Sequence, residues 1–226
     1  MADLYGMTGK IARVDLTSGT VSVVEPGEEI YRNFLGGSAL GAYYLMKEGI
    51  LDPGVDPLGP DNLWQLMIGP VTGAGANPRS VITCKSPYNN FCATTCGGHA
   101  GSELKFAGWD GIQVTGKASS PVYISIVDDN IEIRDASHLW GMEVEEAEII
   151  MKKEVMADIE FREAMIRDAD LTPEWAEMRP PKRLGMHEKR LAHVWLIGVG
   201  GENQVWYAAT MTEGARAHGR WGSGAV

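Results

Sequence analysis

Hydrophobic and polar positions along the chain change period several times. Lys10-Ile11-Ala12-Arg13-Val14-Asp15-Leu16 reads as a strand, Thr17-Ser18-Gly19-Thr20 as a turn, and Val21-Ser22-Val23-Val24 as its antiparallel partner. From about Tyr31 to Glu48 the period lengthens to that of a helix, with Phe34, Leu35, Leu40, Tyr44 and Leu45 on one stripe. Gly36, Gly37 and Gly41 weaken that helix and leave room for something to pack closely against it. Asp52-Pro53-Gly54 and Asp56-Pro57-Leu58-Gly59-Pro60 form a punctuated loop. Short strands are predicted at Trp64–Ile68, Ser80–Cys84, Gly111–Thr115, Val122–Val127 and Ile131–Arg134, with Asp128-Asp129-Asn130 closing the last pair as a hairpin. Glu103–Asp110 predicts a short helix ending at Gly108, and Glu143–Glu154 an amphipathic one. Met156 to about Arg190 is charged and broken at Pro180-Pro181, and reads as helical surface material around a loop. Strands are expected again at Ala192–Ile197 and Gln204–Thr210, before a glycine-rich, basic tail from Gly214 to Val226. Many short strands and few helices predict an α+β or mostly-β fold, not a parallel doubly wound sheet.

Composition narrows the function classes. The 226 residues are 44% hydrophobic and 22% charged, an ordinary globular balance. Acidic residues outnumber basic ones by 30 to 20, a net charge of −10, which disfavours nucleic-acid binding because such proteins need a cationic face. No apolar run approaches the roughly 18 residues of a membrane span, and the N-terminus has no signal-peptide pattern, so the cytoplasm is the default expectation. Cys84, Cys92 and Cys96 are too few for a disulfide framework or for the four thiolates of an iron–sulfur cluster, and their spacing fits no zinc pattern.

Glycine is the compositional outlier, 28 residues or about 12% against about 7% in typical chains. Three clusters stand out: Gly69–Gly75 followed by Arg79, Thr94–Gly101, and the tail with Arg216 and Arg220. Each places backbone N–H groups beside a hydroxyl or guanidinium, the donor set that an anionic, phosphate-bearing cofactor needs. The plain alternative is that each cluster is a turn between strands. Cys96 beside Gly97-Gly98 reads most simply as a buried inert thiol, Cys84 as core, and His99, His138 and His218 as packed or surface residues. Gly198-Val199-Gly200-Gly201 follows a strand without completing a dinucleotide fingerprint, which leaves a nucleotide-binding module as a weak rival. No Ser/His/Asp triad and no acid/base pair is placed by spacing.

Taken in order, the strings resemble the N-terminal, pterin-binding part of the tungsten-containing aldehyde:ferredoxin oxidoreductase family. They include Thr8-Gly9-Lys10, Leu35-Gly36-Gly37, Asp56–Asn62, Gly69-Pro70-Val71-Thr72-Gly73, Lys85-Ser86-Pro87, Gly97-Gly98, Glu103–Asp110, Glu132–Gly141, Gly201-Glu202-Asn203 and Gly219–Val226. The resemblance implies two antiparallel β-sheets with short flanking helices, forming a base for a bis-pterin cofactor. It implies a tungsten (or molybdenum) ion held by pterin dithiolenes, which accords with the lack of a Cys/His metal motif. Arg79, Gly97, Arg216, Ala217 and Gly219 match the family's pterin positions, with Cys96 and Gly98 taken alongside them. A bridging magnesium is expected near Thr95 and Ala217, Thr95 standing where the family has Asn.

The resemblance covers 1–152 and 194–226, with an insertion at about 153–193. In the family, two helical domains follow that carry the [4Fe–4S] cysteines, the proton-transfer residues and the substrate channel. They are absent from this chain, so the catalytic residues are expected outside it. The expected partners are the remaining half of the enzyme, on the same polypeptide or a separate subunit, and ferredoxin or another iron–sulfur carrier, with a homo-oligomer left open. The expected function is the cofactor-binding portion of an enzyme oxidising aldehydes to carboxylic acids. Two rivals are a same-family reductase of an aromatic acyl thioester and a non-catalytic pterin-binding or scaffold subunit.

Overall fold

The computed structural model describes residues 6–74, 78–157 and 192–226. Gly75 of the first cluster, and residues 158–191 of the expected insertion and surface segment, lie outside the described residues. The architecture is α+β with three sheets among the described residues. The largest contains β1 (Ile11–Asp15), β2 (Thr20–Val24), β3 (Trp64–Ile68), β4 (Ser80–Lys85), β5 (Phe91–Cys96) and β6 (Gly111–Thr115), in the order β2-β1-β6-β3-β4-β5. All its pairings are antiparallel except β1 with β6, which is parallel. The antiparallel hairpin β7 (Val122–Val127) with β8 (Asn130–Asp135) is a second sheet. The third is β9 (Trp195–Leu196), β10 (Thr210–Thr212) and β11 (Arg216–His218), with β10 central.

The centre of the large sheet is buried on both faces, so β3 and β4 lack the alternation of a half-exposed sheet, which the edge strand β5 keeps. All six residues of β4 are buried. One face packs Ile11, Met67 and Val81 against α1 (Glu28–Phe34) and α2 (Gly37–Lys47), with Tyr31, Leu40 and Leu45. The other packs Ala12, Leu66, Ile68 and Ile82 with Leu104 and Trp109, which lie in and after α3 (Ala100–Phe106), and with Ile126 and Ile131 of the hairpin. A third cluster sets Ala147 and Met151 of α4 (Val144–Ala157) against Val194 and Leu196.

Three elements depart from the sequence expectation. The single helix over 31–48 is two helices, broken where Leu35 and Gly36 take φ of 58° and 134°. A Cβ on Gly36 would meet the Ile68 carbonyl oxygen at 2.7 Å, so the break is where the chain passes the end of β3. Gln204–Thr210 is not a strand: α5 (Val199–Glu202) is followed by turns, with Gln204 at φ 53°, and pairing begins only at Thr210. Finally, Phe91–Cys96 is a full strand at the edge of the sheet, although its inward residues are Cys92, Thr94 and Cys96 rather than large aliphatics.

One buried carboxylate ties the N-terminal segment to the sheet. Asp110, fully buried, accepts from the Thr8 and Gly9 N–H groups at 3.0 and 2.8 Å, the Tyr31 hydroxyl at 2.8 Å and Lys105 Nζ at 2.9 Å. Burial, and then the charge of Asp110, push the Tyr31 phenol well above its ordinary value, so it stays a donor. Asp110→Ala leaves Lys105 without its carboxylate. It is expected to destabilise the fold by about 3–5 kcal/mol, read by urea unfolding.

Candidate functional site

Strand register builds the site. Ile68 pairs with Ser80, and Ser80 with Cys96, so β3, β4 and β5 end level with one another at one end of the sheet. The next residues outward are Gly69, Arg79 and Gly97. The first two glycine clusters and Arg79 are therefore neighbours across strands about 4.8 Å apart. The Thr72 hydroxyl bonds the Arg79 carbonyl and accepts from the Gly69 N–H, each at 3.2 Å, which pins the first cluster to the base of Arg79.

The third cluster arrives on β11, which packs against β5. His218 Nδ1 lies 2.9 Å from the Thr94 carbonyl oxygen, and Nε2 lies 3.3 Å from Ser80 Oγ. Arg216 Nη1 stands 3.5 Å from where a Gly97 side chain would begin. Arg79, Thr95, Arg216 and Gly219 are exposed, Gly97 and Ala217 half-buried, and Cys96 and Gly98 buried. Arg220 turns away to stack on Trp221, 5.3 Å from the ring centroid.

Cys96 sits beneath this group as a thiol. Burial pushes it above its ordinary value, against the pull of Arg216 and Arg79, and its Sγ donates to the Gly97 carbonyl at 3.2 Å. Cys84 and Cys92 face each other across β4 and β5, both buried, and the hydrogen bond to Cys92 with burial pushes the Cys84 thiol well up. Cys84 and Cys96 are thus held as thiols rather than reactive thiolates.

Glu213 carried no motif in the sequence, yet it organises the second and third clusters. It accepts from the N–H groups of His99 and Ala100, the latter at 2.8 Å, and its Oε2 lies 3.2 Å from Arg216 Nε. The His193 ring nitrogen is 3.2 Å away, close enough for charge attraction but off the hydrogen-bonding direction. Burial works to raise the Glu213 carboxyl, but His193 and the two backbone donors outweigh it and hold it down at about 2. The turn after it is fastened to α4 by Gly214 N–H donating to buried Glu148 at 2.7 Å, and Lys152 lies 2.5 Å from the same carboxylate. The His99 and Ala100 amides are thus occupied by the protein's own carboxylate.

The glycines then divide. Gly98 has φ 115° and would drive a Cβ to 2.5 Å from Glu213; Gly101 would drive one to 2.7 Å from the Pro78 carbonyl oxygen. Gly201, of the weak nucleotide motif, would meet Ile197 Cβ at 2.7 Å. The fold itself needs those three. Gly69, Gly97 and Gly219 have no positive φ, and their nearest atoms are ordinary contacts at 4.0, 3.5 and 3.9 Å. One glycine in each cluster is therefore bare without any demand from its own chain. Bare backbone beside two guanidiniums is a donor set that suits an anionic, phosphate-bearing group. Among the described residues no group of three His, Cys, Asp or Glu is placed to hold a metal ion. No helix of the described residues is long and apolar enough to cross a membrane.

Comparison with known proteins bears on the same region. Residues 11–169 match the family model described as aldehyde ferredoxin oxidoreductase, N-terminal domain. The chain is 42% identical over 226 residues to a tungsten-containing aldehyde ferredoxin oxidoreductase of Thermococcus kodakarensis, covering 99% of this chain and 32% of that protein. It is 39% identical over 225 residues to the aliphatic sulfonate oxidoreductase, WOR-like subunit, of Pyrococcus furiosus, covering 99% of this chain and 33% of that one. A solved chain of the active-site complex BamBC of benzoyl coenzyme A reductase, in complex with 1,5-dienoyl-CoA, superposes with a TM-score of 0.78. Its identity is 32%, and the match covers 98% of this chain and 29% of that chain. The chain thus spans about a third of the length of the curated relatives it matches.

Two groups at the site link its stability to pH. Burial holds the His218 imidazole down at about 4, against an ordinary 6.5. His218 and Glu213 both bind fewer protons folded than unfolded, so stability falls as pH falls. The His218 contribution is present above 6.5 and lost toward 4; the Glu213 contribution is present above 4.5 and lost toward 2. Urea unfolding across this range is expected to show two successive declines. Glu213→Gln should abolish the lower one and leave the upper.

Proposed function

The chain belongs to the aldehyde ferredoxin oxidoreductase family as its N-terminal domain, and from that premise we propose that it is the cofactor-cradling portion of a tungsten (or molybdenum) bis-pterin oxidoreductase. The observation that carries this reading is the pair of bare glycines Gly69 and Gly97 grouped with Arg79 and Arg216 at one sheet end, with Gly219, also bare, just after β11. Arg79 and Arg216 supply positive charge and bidentate donors to the anionic groups of the pterins. Gly97 and Gly219 let those groups reach the backbone, while Cys96 stays protonated beneath them and Gly98 makes room for Glu213. Thr95, exposed at the end of β5, and Ala217 on β11 are the residues that would hold a magnesium ion.

The cofactor, when bound, supplies the two-electron chemistry: aldehyde plus water gives carboxylic acid, two protons and two electrons. Electrons would then pass one at a time through a [4Fe–4S] cluster to ferredoxin, with the residues for those steps and for proton transfer supplied by the part of such enzymes that this chain does not span. What these residues do is bind, orient and set charge. The structural likeness to benzoyl coenzyme A reductase favours a second reading, a low-potential reductase of an aromatic acyl thioester built on the same cradle. Aldehyde and acyl-thioester turnover by the complete enzyme separates the two.

The test uses the complete enzyme purified without oxygen, with metal analysis and pterin quantified after oxidation. Arg79→Ala and Arg216→Ala should each lower pterin occupancy; unchanged occupancy in both supports a scaffold role instead. Gly97→Ala and Gly219→Ala should cost less than about 1 kcal/mol in fold stability yet still lower occupancy, because the added methyl enters cofactor space. Gly98→Ala should destabilise the fold itself, since a positive φ and the Glu213 carboxylate both oppose a side chain there.

A further inference from the structure

His218 stands where the three segments meet. It lies on β11 between Ala217 and Gly219 and is fully buried. Its Nδ1 contacts the carbonyl of Thr94, the residue before Thr95, and its Nε2 contacts the hydroxyl of Ser80, the residue after Arg79. A carbonyl only accepts, so Nδ1 carries the proton; Nε2 is then bare and accepts from Ser80 Oγ. The neutral ring is thereby satisfied on both sides. No backbone ladder joins β11 to β5 or β4, since β11 pairs only with β10 in a separate sheet. Glu213 ties the turn before β11 to α3, and Trp221 and Ser223 tie the tail after it through Ser86 and Trp64. Within β11 itself, the tie to the large sheet is this imidazole.

We infer that His218 is a positioning residue: by bridging Thr94 and Ser80 it holds Arg216, Ala217 and Gly219 at a set distance from Arg79, Thr95 and Gly97. The inference rests on the cradle reading above. It adds that the two halves of the cradle, carried by separate sheets, are joined within β11 by one buried side chain, between the flanking ties through Glu213, Trp221 and Ser223. Neither half can be displaced along the strand direction without breaking a bond from the ring.

Complete enzyme purified without oxygen tests this with two readouts, amide hydrogen exchange over 215–219 and the rate of pterin release on dilution. His218→Ala removes both bonds; His218→Asn keeps a side-chain N–H able to reach the Thr94 carbonyl and serves if the alanine variant does not fold. Ile50→Val, in the core beneath α2, is a destabilised control far from the cradle. In His218→Ala both rates should rise at least about tenfold, the equivalent of about 1.4 kcal/mol. Ile50→Val should release pterin at the wild-type rate, and His218→Asn should recover part of the retention. Unchanged exchange in both His218 variants overturns the bridge. Faster exchange with unchanged pterin release overturns the positioning role and leaves a purely structural bond. Wild-type enzyme without pterin overturns the cradle reading itself, and the positioning role with it, while the exchange data still report the bridge.

Discussion

Three neighbouring strands end level with one another, and that alignment is the constraint on which the rest depends. Ile68, Ser80 and Cys96 are register partners across β3, β4 and β5. A one-residue slip in either pairing would turn the strand's inward set outward, and both faces of this sheet are packed, so register is strongly specified. What lies beyond the register line is therefore placed as firmly as the core. Gly69, Arg79 and Gly97 inherit their positions from Met67, Val81 and Ile82, which have no chemistry of their own.

The same sheet end shows how a protein selects which of its donors face outward. A glycine-rich stretch carries many amides, but several here are already engaged. Thr72 takes the Gly69 N–H, and Glu213 takes those of His99 and Ala100. Glu213 also lies against Arg216, so the guanidinium is held by an ion pair that is only partly exposed. The charge offered at the surface is thus lower than a count of arginines gives, and its direction is set. That combination suits a ligand that must be oriented as well as bound.

Relatives matched over the same stretch are named for different substrates: an aldehyde ferredoxin oxidoreductase, an aliphatic sulfonate oxidoreductase subunit and a benzoyl coenzyme A reductase. This chain resembles all three to a similar degree while spanning about a third of each. A region shared among enzymes of such different substrates is suited to holding what they have in common.

The sequence alone determined most of the elements. The hairpins at Ile11–Val24 and Val122–Asp135, the strands at Trp64 and Gly111, the helix over 144–157 and the α+β class follow from period, turn residues and capping, which are local. The glycine clusters and their arginines were also legible, since bare backbone beside guanidinium is a composition as much as a geometry. Tertiary structure decided what composition could not carry. It broke the helix at Leu35-Gly36 because β3 ends there, and made Phe91–Cys96 a strand because β4 offers it an edge. It kept Gln204–Ala209 out of the sheet, because Gln204 takes φ 53° and the chain turns from Val205 to Ala208. It also separated the glycines the fold needs from those it does not, and brought Glu213 and His218 to the centre of the site. Those two residues have no motif because the partners that place them, His99 and Ala100 for Glu213 and Thr94 and Ser80 for His218, lie over 100 positions away, and contacts at that separation leave no local signature in a single chain.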